Sequence, residues 1–264
     1  MTTLDPIYTE INCEFAYQLR WGVTVFWRQS PPEAAGIESL AAALEDDGIR
    51  ILSSRSIEQN GMQFALSTLP GVRPVTIIHR LKGRLQYIVR DHTPRALRPH
   101  YSIRSFGTQD RNVIEAYVAR QPQKHSMAST MSQQIFEDLL FCDPAIDLSI
   151  SQKTSHGDYW YNLHLVLVHE DRWRSVDRKQ LTKTHRVVRQ CAMKKQWRLS
   201  RFAILSDHMH MTIGCSMHES PAEVTLSLMN NVAWAYGMKP MLSFSAFVGT
   251  FGEYDQRSVA GNRA

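Results

Sequence analysis

The chain has 264 residues, 43% of them apolar and six of them Trp, with a formal charge of +5. That length leaves room for one large domain or two small ones, and the apolar content supports a sizeable core and argues against global disorder. No apolar run reaches the ~18 residues of a membrane-crossing helix, and "MTTLDPIYTEINCEF" at the N-terminus lacks the apolar stretch of a signal peptide.

A cytoplasmic protein with no membrane partner is therefore expected. Cys13, Cys142, Cys191 and Cys215 are scattered, with no pair at metal-ligand spacing, and read as reduced thiols. The charge is unevenly spread. Residues 79–104 carry seven Arg or Lys against Asp91 alone, and residues 172–201 carry eleven against Asp177 alone. Two such stretches suggest a polyanion partner, or else solvated helix faces.

In chain order, residues 14–27 ("EFAYQLRWGVTVFW") alternate with the period of a half-buried strand. A helix is expected over 31–48, opening on Pro and closing on Gly. A β-hairpin follows over 51–67, a helix over 74–90 and a strand over 101–107. One more helix, 110–122, starts on Asp110 and stops at Pro122. The stretch 122–157 reads as a linker with one short helix at 132–141.

Then the pattern recurs. A strand is expected over 158–171, a helix over 177–195 with Leu181, Val188 and Ala192 at helical spacing, a hairpin over 198–214 and a helix over 221–237. The closing strand is expected at 254–261, where Tyr-x-x-Arg-Ser repeats the motif of 101–107. Leu52 aligns with Leu199 and Ser53 with Ser200, each 147 residues apart. Each repeat reads β-α-β-β-α-β, so the expected fold class is α+β, with two tandem ferredoxin-like units and antiparallel sheets. The first unit spans 1–121, the linker 122–157 and the second unit 158–264.

The repeats differ where chemistry would sit. His208 and His210, in "ILSDHMHMTIG", are two apart on a strand and project from one face. Neutral imidazoles so placed are a metal-ligand pair or acid–base partners, and Asp207 beside them is suited to orienting a ring. The first repeat has Gly61-Met62-Gln63 there, and no imidazole. It has instead the extra helix, on which Tyr117 and Gln121 share a face. Tyr117 is either a core aromatic in the stripe of Val113, Ile114 and Val118 or a nucleophile, and Gln121 is either a buried amide or an oxygen ligand. His125, His156, His169 and His185 show no partner pattern and read as structural or surface residues.

Together, "SDHMHM" and "VIEAYVARQ" resemble the single-tyrosine HUH transposases of insertion sequences and their REP-associated relatives. Members carry His-hydrophobe-His on a strand and, on a later helix, a tyrosine followed in many cases by glutamine four residues on. They are homodimers in which each site takes its histidines from one subunit and its tyrosine from the other. The resemblance implies that this chain is a fused, intramolecular pseudo-dimer acting as a monomer, with one composite site. Tyr117 is then the nucleophile that cleaves and rejoins single-stranded DNA through a 5′-phosphotyrosine. His208, His210 and Gln121 would hold Mg2+ or Mn2+, and Asp207 would support them. Arg80, Lys82, Arg84, Tyr87, Arg90 and Arg104 would grip the DNA, expected to be a hairpin. The alternative is a domesticated hairpin-binding protein without cleavage.

Overall fold

The computed structural model describes residues 5–29, 37–58, 60–91, 93–124 and 130–253. Twelve strands in two six-stranded sheets and seven α-helices make up the described residues, a mixed α+β protein.

β1 (Glu14–Gln18) and β2 (Arg20–Trp27) come first. Trp21, Val23, Val25 and Trp27 alternate along β2 and are buried on one face. α1 (Ile37–Glu45) buries Leu40 and Leu44, one turn apart, and residues 31–36 of the expected helix lie outside the described residues. β3 (Ile49–Ile57) and β4 (Gly61–Thr68) form the expected hairpin, closed through Asn60 in the left-handed region (φ 58°). α2 (Pro74–Val89) starts on proline, whose fixed φ suits a first turn, and β5 (Leu97–Phe106) follows.

The expected helix at 110–122 is α3 (Arg111–Ala119) followed by the single turn α4 (Gln121–Lys124). α5 (Thr130–Asp138) begins two residues before the helix expected in the linker. The rest of that stretch is more than a connection. β6 (Phe141–Cys142) extends one sheet and β7 (Gln152–Lys153) the other.

The second repeat holds β8 (Gly157–Trp160), β9 (Asn162–His169), α6 (Arg178–Lys194), β10 (Arg198–Ile204), β11 (His208–Gly214), α7 (Pro221–Ala235) and β12 (Leu242–Thr250). α6 is capped by Asp177, whose carboxylate accepts from the Lys179 and Gln180 amides. α7 opens with a capping box between Ser220 and Glu223.

The first sheet runs β3-β4-β2-β5-β8-β7 and the second β1-β12-β9-β11-β10-β6. Within each, the strands of one repeat take the same order and are mutually antiparallel. α1 and α2 back the first sheet; α6 and α7 back the second.

Two expectations need correcting. The runs 14–27 and 158–171 are not single strands. Each breaks at one buried residue, Leu19 or Tyr161, and its first part leaves for the other repeat's sheet. β1 pairs parallel with β12, and β8 pairs parallel with β5. The alternation of inward and outward residues is satisfied on either sheet, so patterning could not reveal the exchange. The closing strand of the second repeat is β12, not 254–261, which lie outside the described residues. Ala246 and Val248 of β12 provide the inward-facing apolar pair beside β9.

With β12 in place, the seam between repeats shows matched contacts. Ser105 Oγ donates to the Phe251 carbonyl (3.1 Å) and accepts from the Asn162 amide (2.9 Å). Thr250 Oγ1 donates to the Phe106 carbonyl (2.6 Å) and accepts from the Arg20 amide (2.7 Å). The glycines that follow allow this approach: a Cβ on Gly107 would lie 2.4 Å from the Thr250 carbonyl oxygen, and one on Gly252 2.8 Å from that of Ser105.

Candidate active site

The second sheet has two unlike faces. Leu163, Leu165, Leu167, Met209, Met211 and Ile213 point to α6 and α7 and are fully buried. His164, Val166, His208, His210 and Thr212 point the other way, as the register dictates. That outer face is where α3 lies. The helix leaves β5 of the first sheet, crosses the seam and packs on β10 and β11.

Its seating is specific. Val118 is fully buried, and the buried Glu115 carboxylate accepts from Ser200 Oγ (2.6 Å) and from Arg111 (3.2 Å). Ser200 in turn bonds Thr212 on β11 (2.8 Å), and Arg111 also reaches Asp147 (3.5 Å). A buried carboxylate so engaged fixes the helix in rotation and translation, because removing either partner strands a charge.

Tyr117 is thereby delivered to the histidines. Its ring stands edge-on to His210, centroids 5.5 Å apart, and to His164 at 5.9 Å. It is 37% exposed, which is not the burial of a core aromatic. The Lys124 ammonium lies 4.4 Å from its ring centroid. Gln121 is buried, and its amide nitrogen donates to the Tyr117 carbonyl (3.2 Å), which orients the side chain against the same helix turn.

The His208 and His210 ring centroids are 5.0 Å apart, and both residues are buried. Nδ1 of His208 bonds Asp207 Oδ1 at 2.6 Å, so Nδ1 carries a proton and Nε2 is the nitrogen turned away from the carboxylate. Partial burial alone would raise the Asp207 carboxyl. The hydrogen bond and charge of His208, with Arg172 at 3.3 Å, outweigh it and hold that carboxyl below its ordinary range. Nδ1 of His210 meets Nε2 of His164 at 3.2 Å, with the rings stacked at 15°. Desolvation lowers His164 to a pKa of about 4, so it is neutral near pH 7.

Among the described residues no group of three or more His, Cys, Asp or Glu is arranged to hold a metal ion. The paired donors here are different in kind: two imidazoles with Nδ1 engaged, while the buried Gln121 amide is held against the Tyr117 carbonyl. Those donors suit a cation that accepts mixed nitrogen and oxygen ligands.

Sequence reasoning did not find His164, Glu115, Ser200 or Lys124. His164 alternates with leucines in "NLHLVLVH" and pairs with Thr212 across a gap of 48 residues. Only the strand register reveals that neighbour.

The expected DNA-contact residues are dispersed. Arg80 and Arg84 on α2 both reach Asp47, at 3.4 and 3.3 Å. The Lys82 ammonium donates to the Arg98 and Pro99 carbonyls, 2.8 Å each, and so fastens α2 to β5. Arg90 stacks on the exposed Tyr87 ring at 4.1 Å. Of the six, only Arg104 lies at the seam from which α3 departs. It stacks on Trp160 at 4.1 Å and lines a small polar cavity with Arg111 and Asn162. His169 is fully buried and bonded to the Trp173 carbonyl, and His185 stacks on Phe202, both structural; His156 is exposed, and His125 lies outside the described residues.

Fold and site together define an α+β protein whose two halves meet in one tyrosine–histidine cluster. Residues 158–238 match the family described as "Transposase IS200 like". The segment that carries His208 and His210 is therefore similar to that transposase family, and Tyr117 lies outside the matched stretch. No curated protein matches the chain significantly. Matching solved structures include an unknown protein from Galdieria sulphuraria, 8% identical with a TM-score of 0.22, covering 90% of this chain and 99% of that one. A microcompartments protein from Desulfitobacterium hafniense DCB is 11% identical, with a TM-score of 0.22, covering 91% and 98%. Likenesses at that TM-score carry no argument. No helix among the described residues is long and apolar enough to cross a membrane.

Proposed function

We propose that this chain cleaves and rejoins single-stranded DNA through a covalent tyrosine link, as a transposase-type nuclease with one composite site. In this reading the halves are two ferredoxin-like units forming an intramolecular pseudo-dimer. The single observation that carries it is the placement of Tyr117, supplied by the first half, edge-on to His210 of the second. The match of residues 158–238 to IS200-like transposases supports the class of reaction.

The Tyr117 oxygen attacks phosphorus in line. A phenol O–P bond forms, the bond from phosphorus to the 3′-oxygen breaks, and the DNA is left with a 5′-phosphotyrosine and a 3′-hydroxyl. The phenol proton passes to water and the departing oxygen takes one up. The link retains the phosphodiester energy, so a 3′-hydroxyl reverses the step without a nucleotide cofactor. His208 and His210, presenting Nε2, and the Gln121 amide oxygen would hold Mg2+ or Mn2+. Such a cation, when bound, supplies charge neutralisation at the non-bridging phosphate oxygens. Lys124 adds a fixed positive charge beside the phenol ring. Glu115 and Ser200 keep the helix seated so that the nucleophile is positioned before substrate arrives.

The test is incubation of the full chain with labelled single-stranded oligonucleotides, with and without hairpins, plus Mn2+, followed by denaturing gels. Wild type forms a protein–DNA adduct and Tyr117→Phe forms none. Retained hairpin binding without an adduct in wild type would favour the non-cleaving DNA-binding protein.

A further inference from the structure

We infer that His164 is a positioning residue for the metal site: it accepts the Nδ1 proton of His210 and so turns that ring's Nε2 lone pair toward the cation. The inference rests on the reading that His208 and His210 are metal ligands, and it adds a residue which that reading does not contain.

Three observations carry it. First, Nε2 of His164 lies 3.2 Å from Nδ1 of His210, within hydrogen-bond reach, and the rings are held nearly parallel at 15°. One nitrogen must donate and the other accept. If His210 donates, its remaining lone pair is on Nε2, the nitrogen on the far side of the ring.

Second, the arrangement repeats what Asp207 does for His208, where Nδ1 bonds a carboxylate at 2.6 Å. Both candidate ligands then present the same nitrogen. Metal-bound imidazoles generally have the other ring nitrogen tied to a partner that fixes tautomer and orientation. The partner differs in charge. A carboxylate serves His208, and a neutral ring serves His210, beside the Tyr117 ring.

Third, the imidazoles occur as a set. In the first sheet Gly22 pairs with Ala65 as His164 pairs with Thr212, and Gln63 stands where His210 does. The half without the two ligand histidines lacks this third one as well. His164 is also locked from its other side, with the Phe247 ring 5.9 Å away at 65°.

The experiment uses the full chain. Imidazole 15N NMR on metal-free protein reads the tautomer of His210, whose signals are assigned by their loss in His210→Gln. Electron paramagnetic resonance titration reads Mn2+ affinity. Wild type is expected to carry the His210 proton on Nδ1. His164→Phe keeps a ring and removes the acceptor. In that variant the Nε2-protonated form of His210 becomes dominant and Mn2+ binding weakens about tenfold, with the thermal transition still cooperative. His164→Gln, which restores an acceptor, recovers part of both.

A wild-type His210 protonated on Nε2 overturns the inference without any variant. So does a His164→Phe protein with wild-type tautomer and affinity, and in both cases intact Mn2+ binding leaves the site reading standing. Wild-type protein that binds no Mn2+ refutes the metal site itself, and the positioning role with it.

Discussion

The outer faces of the two sheets share one strand order and carry different chemistry. In the second, His164 and His210 lie against Tyr117 of α3, with His208 beside His210. In the first, the matching positions are Gly22, Gly61 and Gln63, and Gln63 accepts a hydrogen bond from Arg55 at 2.8 Å. Strand order and register alone therefore do not make a site. What makes one is a set of imidazoles on one face together with a helix sent across from the other half.

Removing the proposed nucleophile is the sharpest way to break that comparison. Tyr117→Phe should reduce adduct formation by at least about a thousandfold on denaturing gels, because the phenol oxygen that would form the link is gone. Undocking the helix comes next. Glu115→Ala deletes the acceptor for Ser200 and Arg111 and should cost about 1–3 kcal/mol in chemical denaturation. Hydrogen exchange over residues 111–119 should accelerate in that variant, with adduct formation falling alongside.

Giving the first sheet a histidine should not create a second site. A Cβ on Gly61 would come within 2.5 Å of Ile57 Cγ1, so Gly61→His is expected to destabilise by about 1–3 kcal/mol. Its adduct yield should stay at one per chain.

Acidification acts on the fold as a whole rather than on the site. Burial lowers both His164 and His185 to about 4, from an unfolded value near ~6.5. The folded pKa lies below the unfolded one, so between those values the unfolded chain binds more protons and stability falls as pH drops. Thermal melts of metal-free protein should decline from about pH 7 toward about pH 4. His185→Phe, far from the cluster on α6, should shallow the decline.

Much of this was legible from residue order alone. His208 and His210 alternate with Met209 and Met211, which fixed their common face. Tyr117 and Gln121, one turn apart, announced a shared helix side, although the helix breaks at Arg120 and Gln121 opens the next turn. The recurring order of elements foretold two sheets of like strand order. What stayed hidden is non-local. Leu19 and Tyr161 mark where strands change sheets, yet their neighbours alternate as in any strand. His164 gains meaning only from a partner strand, β11, that lies beyond α6 and β10 in sequence. β12 carries no motif of its own, only the apolar alternation over 242–250, and the Tyr-x-x-Arg-Ser match at 254–258 lies outside the described residues.

The composite site itself is tested most directly by mass spectrometry of the adduct: intact mass for stoichiometry, then peptide mapping for the attachment point. One DNA strand per chain, attached at Tyr117 and absent when His208 and His210 are both replaced by alanine, is the predicted result. Attachment at any other residue, or at Tyr117 with undiminished yield in that histidine variant, would contradict the account.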